Sequence, residues 1–267
     1  MTLKEILEKF GKVDGSFVIE NIMGLSQTEI FFNQNETVPK DIEITIDEIY
    51  EKYSKDYPIN YLIGKKNFYG RDFYLKDGVL IPRFETEILI ENILNLGVDF
   101  KNILDIGCGS GIISITLALE IPKSNVLGVD ISKVALDVSR RNKELLKVKN
   151  CEFKESNLFS SIEERKFDLI VSNPPYINKK DMLLLDERVK KEPELALFGG
   201  EDGLDFYKAI IEKSHEHLNE NGYIAFEIGY NQGEPLKGLL SNNEYTDINL
   251  IKDYNGFDRC VIARSMI

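Results

Sequence analysis

The segment Asn102-Ile-Leu-Asp-Ile-Gly-Cys-Gly-Ser-Gly-Ile112 decides the fold of this chain. A short apolar run enters a loop of three alternating glycines, and a helical pattern follows from Ile112 to Glu120. A strand that ends in glycines and opens a helix is the first βα turn of a nucleotide- or nucleoside-binding open sheet. The glycines fall at 107, 109 and 111, so the third comes one residue early for Gly-x-Gly-x-x-Gly, whose last position here is Ile112. That spacing argues against a dinucleotide dehydrogenase.

Outward from this loop, strand and helix patterns alternate. Strands are expected at Asn102–Ile106, Asn125–Asp130, Cys151–Glu155, Phe167–Ser172, Gly222–Ile228, Thr246–Ile251 and Arg259–Ala263. Helices are expected at Ile112–Glu120, Lys133–Leu146 and Leu204–Leu218. The alternation predicts an α/β fold with a mostly parallel sheet and helices on both faces, and the last two strands form a hairpin at one edge. The N-terminal part reads differently. Thr2, Ser26 and Thr45 each precede a glutamate by three residues (Glu5, Glu29, Glu48), which makes three capping boxes, with Gly11–Gly15 and Gly24 as punctuation. They predict a small helical bundle over residues 1–56. The aromatic stretch that follows ends in Asp77-Gly78 and predicts a β-hairpin linker. The expected division is a helical unit with its hairpin over 1–75 and an α/β domain over 76–267.

Two acids flank the glycine loop. Asp130 ends the second strand, 19 residues beyond Gly111. Its carboxylate there can accept both hydroxyls of a ribose, or it can serve as the N-terminal acid of the following helix. Asp105, ahead of the loop, can accept from a bound amino group. The Asp-x-Gly-x-Gly-x-Gly arrangement resembles the S-adenosylmethionine loop of class I methyltransferases. The resemblance implies a Rossmann-like, seven-stranded, mostly parallel sheet, with Asp105, Gly107, Cys108, Gly109, Ser110, Gly111 and Asp130 around the cofactor.

The fourth strand runs into Asn173-Pro174-Pro175-Tyr176. Ligands of open α/β sheets sit beyond the carboxyl ends of the strands, so this tetrapeptide faces the cofactor. Two prolines fix φ and remove two backbone donors. Two acceptors remain, the Asn173 side-chain carbonyl and the Pro174 backbone carbonyl. Together they can hold an NH2 group with its lone pair turned toward a methyl donor. Tyr176 offers a flat face to a planar group. The tetrapeptide resembles that of methyltransferases acting on planar NH2 nitrogens: adenine, guanine and the glutamine amide.

Composition narrows the class. Thirty-three basic residues against 45 acidic ones give a net charge of −12. Up to Leu75 there are nine basic and thirteen acidic residues, and beyond it 24 and 32, so neither part carries the basic excess of a nucleic-acid binder. The three cysteines (Cys108, Cys151, Cys260) form no Cys-x-x-Cys pair, which is the usage of reduced thiols in a cytosolic protein. Cys108 is assigned no nucleophilic role. His215-x-His217 reads as a helix C-terminal cap and not as a metal site. Glu163–Lys166 and Lys190–Glu192 read as solvated charged faces. With no signal-like N-terminus and no apolar run of membrane-spanning length, a cytoplasmic, metal-free enzyme is expected.

The wider pattern resembles the HemK/PrmC family, the protein-(glutamine-N5) methyltransferases that act on peptide chain release factors. The matching stretches are Pro58–Gly64, Leu80–Glu87, Asp105–Gly111, Arg141-Asn142, Asn173–Tyr176, Glu192-Pro193, Gly199–Asp205, Phe226–Gly229 with Gln232-Gly233, and Gly256–Arg259. The resemblance implies that the substrate is the glutamine of the Gly-Gly-Gln loop of class 1 release factors. It implies that Asn173 and Pro174 hold the amide nitrogen, that Pro175 and Tyr176 shape the slot, and that Asn173 also touches the cofactor. Relatives often carry an acid and a tryptophan near the adenine. Here the pair is Asn157-Leu158, of which Asn157 can bond the adenine edge and Leu158 pack on it. Pro82-Arg83 is expected at the border of the pocket. Two other methyltransferase readings stay open: a glutamine methyltransferase of a ribosomal protein, and an adenine-N6 nucleic-acid methyltransferase. A non-enzymatic RNA- or ribosome-binding module ranks last, having no use for both motifs.

Overall fold

The structure is a computed structural model that describes residues 1–266. It forms two compact units. One comprises Met1–Lys65 with Asp186–Lys191, and the other Lys66–Leu185 with the chain from Glu192 onward.

The first unit is helical: α1 (Leu3–Phe10), α2 (Lys12–Met23), α3 (Gln27–Phe32), α4 (Lys40–Tyr53) and α5 (Ile59–Ile63). The capping boxes at Thr2 and Ser26 both form. The third does not. Thr45 lies inside α4, its hydroxyl bonded back to the Asp41 carbonyl at 3.2 Å. The helix starts five residues earlier, behind Pro39 (φ −54°), whose fixed φ initiates it, with Asp41 and Glu43 in the first turn. Gly15 is not a break either. It sits within α2, where a Cβ would come 2.9 Å from the Leu7 Cα, so its bareness lets α1 and α2 pack closely. Leu3, Ile6, Phe10, Val18, Ile19 and Ile46 fill the bundle core. Residues 186–191 join this unit through Arg188, which pairs with Asp14 at 3.4 Å and lies over the Tyr53 ring at 4.4 Å.

The second unit opens with the hairpin of β1 (Lys65–Phe68) and β2 (Arg71–Tyr74). Its turn is Tyr69-Gly70, not Asp77-Gly78. Both turn residues have positive φ (50° and 71°), as a two-residue turn matching the strand twist requires. Then follow α6 (Glu85–Asn95), β3 (Asn102–Ile106), α7 (Ile112–Glu120), β4 (Asn125–Asp130), α8 (Lys133–Leu145), β5 (Cys151–Glu155), β6 (Phe167–Ser172), α9 (Lys179–Met182), α10 (Asp205–Ser214), β7 (Leu218–Glu227), α11 (Gly233–Asn242), β8 (Tyr245–Lys252) and β9 (Asp258–Ser265). Helices α6, α9 and α11 lie outside the expected set. Gly233, Pro235 and Gly238 mask α11 in sequence.

The seven strands are ordered β5-β4-β3-β6-β7-β9-β8, parallel from β5 to β7 and antiparallel at β9 and β8. Strand alternation sends Ile103, Val126 and Leu169 to a core shared with α6 and α7. Their neighbours Leu104, Leu127 and Ile170 join α10 and α11 on the other face. The chain leaves β3 for β4 on one side and reaches β6 on the other. This switch of direction opens a crevice at the carboxyl ends of the strands.

Candidate active site

The glycine loop spans β3 and α7, and its backbone is pinned to β4. Gly107 and Cys108 both donate to the Val129 carbonyl, at 2.8 and 2.9 Å. Gly107, Gly109 and Gly111 all have positive φ, yet they need glycine for different reasons. A Cβ on Gly107 would meet nothing within 4 Å, and one on Gly109 only the Val79 side chain at 3.9 Å. A Cβ on Gly111 would lie 3.0 Å from both Phe153 and Ser139. The first two leave bare backbone beside open space, the cradle a ligand needs. The third allows close packing of helix on strand.

Asp130 ties the loop to the next strand end. One carboxylate oxygen accepts from Gly109 N at 2.9 Å and the other from Ser132 N at 2.8 Å. Burial raises its pKa, opposed by these N–H donors. The cap of α8 is Ser132, which accepts from Ala135 N. Asp130 itself reaches back across to the loop.

These elements border an open cleft. Of the expected residues, Gly107, Cys108, Gly109, Ser110, Asp130, Asn157, Leu158, Asn173, Pro174 and Pro175 line it, and so do Pro82 and Arg83. Asp105, Gly111 and Tyr176 are not on its wall. The bare-backbone cradle and the carboxylate at the neighbouring strand end fit a nucleoside-bearing ligand such as S-adenosylmethionine.

Asp105 is fully buried at the end of β3 and turns toward α7. One oxygen accepts from Ser114 N at 3.0 Å and from the Ser114 hydroxyl. The other has no partner. Burial pushes its pKa up to about 7, with the Asp130 charge adding to the rise and the Ser114 bonds opposing it. Burial also raises the Cys108 thiol well above its ordinary value, which keeps it neutral.

Asn173 and Pro174 follow β6 directly. Asn173 Nδ2 donates to Thr86 Oγ1 at 3.4 Å, and Thr86 donates to Glu227 Oε2 at 2.6 Å. With its nitrogen so engaged, Asn173 lines the cleft. Tyr176 stands behind the slot, its hydroxyl 3.5 Å from Glu227 Oε1 and its carbonyl accepting from Gln232 Nε2 at 3.0 Å. Burial and the Glu227 charge both raise the Tyr176 phenol, so it stays protonated. Burial pushes Glu227 up to about 7. Thr86 and Glu227 lie in Leu80–Glu87 and Phe226–Gly229, motifs that carried the resemblance, but nothing local in sequence marks a polar side chain bonded across such distances.

Glu192 is not on a solvated face. It is 5% exposed, accepts from Ile81 N at 2.9 Å and pairs with Arg83, which holds the Pro82-Arg83 wall in place. His215 forms the C-cap of α10, with its ring between Ser265 Oγ and the Asn243 carbonyl, and the His217 ring stacks on Phe159. Among the described residues no group of three His, Cys, Asp or Glu could hold a metal ion, and no helix is long and apolar enough to cross a membrane.

Residues 84–195 match the family model described as the methyltransferase small domain. The chain is 40% identical over 260 residues to a release factor glutamine methyltransferase of Fusobacterium nucleatum, covering 96% of this chain and 73% of that one. A protein of the same name from Aquifex aeolicus is 38% identical over 268 residues, covering 98% and 95%. Among solved structures, a ribosomal protein L11 methylase from Lactobacillus delbrueckii subsp. bulgaricus superposes with a TM-score of 0.53 at 23% identity, covering 72% of this chain and 84% of that one. The T. thermophilus 16S rRNA N2 G1207 methyltransferase, in complex with AdoMet and guanosine, gives 0.55 at 17% identity, covering 75% and 49%. At these identities the structural likeness concerns the fold.

Proposed function

The chain belongs to the release factor glutamine methyltransferases, and we propose on that premise that it methylates the side-chain nitrogen of the glutamine in the Gly-Gly-Gln loop of class 1 release factors. The observation that carries the reading is the acceptor pair at the end of β6. Asn173 has its nitrogen engaged by Thr86, so its oxygen is available to the substrate NH2. The Pro174 carbonyl is the second acceptor. Gly107–Ser110, Asp130, Asn157, Leu158 and Asn173 hold S-adenosylmethionine, with Asp130 at the ribose hydroxyls and Asp105 and Gly111 supporting the loop from behind. Bound there, the cofactor supplies an electrophilic methyl on its sulfonium.

Two acceptors on one NH2 hold the nitrogen in place and turn its lone pair out of conjugation. The lone pair forms the new N–C bond as the S–C bond breaks, and the nitrogen then releases a proton to solvent. No side-chain base is required, because the nitrogen becomes acidic only as it is alkylated. Positioning of this kind can supply up to about 7–11 kcal/mol of barrier reduction. Pro175 shapes the slot and Tyr176 backs it. The N-terminal helical part, expected over residues 1–75, recognises the rest of the protein substrate, and such remote binding raises turnover as well as affinity.

The test is mass spectrometry after incubation with cofactor and, in parallel, purified release factor, a Gly-Gly-Gln peptide, ribosomal protein and duplex DNA. One methyl on the release-factor glutamine is expected, with weaker transfer to the short peptide. A chain of net charge −12 lacks the cationic excess that phosphate contacts demand. Robust adenine methylation that falls steeply with salt would overturn the reading.

A further inference from the structure

A carboxamide has an accepting oxygen and a donating nitrogen at ends of nearly equal shape. A slot for a glutamine NH2 works with one orientation of Asn173 and fails with the other, which sets donor against donor. We propose that Thr86 and Glu227 are positioning residues that hold the Asn173 amide with its oxygen on the cleft. The inference rests on the glutamine-methylating function above.

A hydroxyl carries one proton. Thr86 directs its proton to Glu227 Oε2 at 2.6 Å and keeps only lone pairs for Asn173. Nδ2 therefore meets Thr86, at 3.4 Å, and Oδ1 turns away from it. Thr86 is fully buried and Glu227 is 1% exposed, so bulk water does not compete for either. Glu227 is itself fixed: Tyr207 donates to its backbone carbonyl at 2.8 Å, and the Tyr176 hydroxyl stands 3.5 Å from Oε1. Among the described residues Glu227 makes no direct salt bridge; the nearby Arg259, whose charge favours the carboxylate, is bonded to Asp253 at 3.1 Å.

A buried carboxyl without a direct ion pair costs stability. Here it gives a hydrogen-bond chain its direction. An ionised carboxylate can only accept, so it has no proton to return to Thr86 and the bond cannot reverse. The three side chains come from α6, the end of β6 and the end of β7, so the relay joins the slot to the sheet core.

Thr86→Val keeps the shape and removes the hydroxyl, while Thr86→Ser restores it. Each variant, checked for folding by its melting temperature, is assayed for kcat and KM on release factor and for cofactor Kd by calorimetry. In parallel, NMR of the 15N-labelled Asn173 side chain reads the amide. In wild type the NH2 protons show cross-relaxation to residue 86, and in Thr86→Val that contact weakens and the resonance broadens or doubles. The expected kcat loss in Thr86→Val is about tenfold or more, the scale one hydrogen bond can set. Cofactor Kd stays within about twofold, and Thr86→Ser recovers most of the turnover. Wild-type kcat and an unchanged amide in Thr86→Val would overturn the proposal, and so would an equal loss in Thr86→Ser. If wild type leaves release factor unmethylated while the amide responds as described, the functional reading fails and the positioning stands.

Discussion

Asp130 accepts the backbone N–H of Gly109 at 2.9 Å, so the acid at the end of β4 holds the glycine loop at the end of β3. Its other oxygen accepts from Ser132 N at 2.8 Å. Asp130→Ala removes the loop anchor together with the proposed ribose contacts. Cofactor Kd is expected to weaken about ten- to a hundredfold, equivalent to about one charge-assisted hydrogen bond. Asp130→Asn should do little better, because both oxygens face N–H donors and an amide must turn its own NH2 against one of them. Calorimetry on both variants checks this, and affinity close to wild type in Asp130→Asn would refute it.

Gly107→Ala and Gly111→Ala separate binding from folding. Both residues have positive φ, which costs an L-residue about 1–2 kcal/mol. Gly111 adds close contact, with Phe153 and Ser139 both 3.0 Å from its built Cβ. Gly111→Ala should therefore lose about 2 kcal/mol or more of stability in denaturant melts. Gly107→Ala should lose less stability and proportionally more cofactor affinity, since its Cβ would stand in open space beside the cradle.

Asn173→Ala should lower turnover by several orders of magnitude while cofactor affinity falls only modestly. An acceptor used mainly in the transition state appears in kcat more than in KM. Asn173→Asp keeps an acceptor but adds a negative charge beside the sulfonium and the buried Glu227, so its activity should lie between the two. Steady-state kinetics on folded variants reads both, and wild-type turnover in Asn173→Ala would reduce the tetrapeptide to a rigid turn.

Asp105 makes folding sensitive to pH. Its pKa rises from 3.8 unfolded to about 7 folded, chiefly through burial. A raised folded pKa means the native state binds the extra proton, so this contribution is fully present below the unfolded value and lost as pH climbs through the folded one. Asp105→Asn removes that dependence. Between pH 4.5 and 7.5, without cofactor, the stability of Asp105→Asn relative to wild type should improve by at least about 1 kcal/mol, the scale of one pK unit. Denaturant melts across that range decide it, and a constant difference would show that Asp105 does not titrate there.

What the sequence determined were features whose physics is local. The strand–glycine–helix run at Asn102–Glu120, the acid ending β4 and the Asn173–Tyr176 tetrapeptide are each written in consecutive residues. Apolar alternation and backbone stiffness act over a few positions, so six of the seven strands begin within one residue of where the pattern places them. The exception is β7, which starts at Leu218 ahead of the expected Gly222.

Which way the polar side chains face follows from the folded arrangement alone. Thr86 meets Asn173 across 87 positions and Glu227 across 141, and no spacing rule reaches that far. Asp105 turned to Ser114 and away from the cleft wall because a buried carboxylate takes the nearest donors. Thr45 lost its capping role because Pro39 starts the helix earlier. Glu192 left solvent because Arg83 and Ile81 N gave it partners. A backbone pattern is fixed by neighbours in sequence, whereas a side-chain hydrogen bond is fixed by neighbours in space.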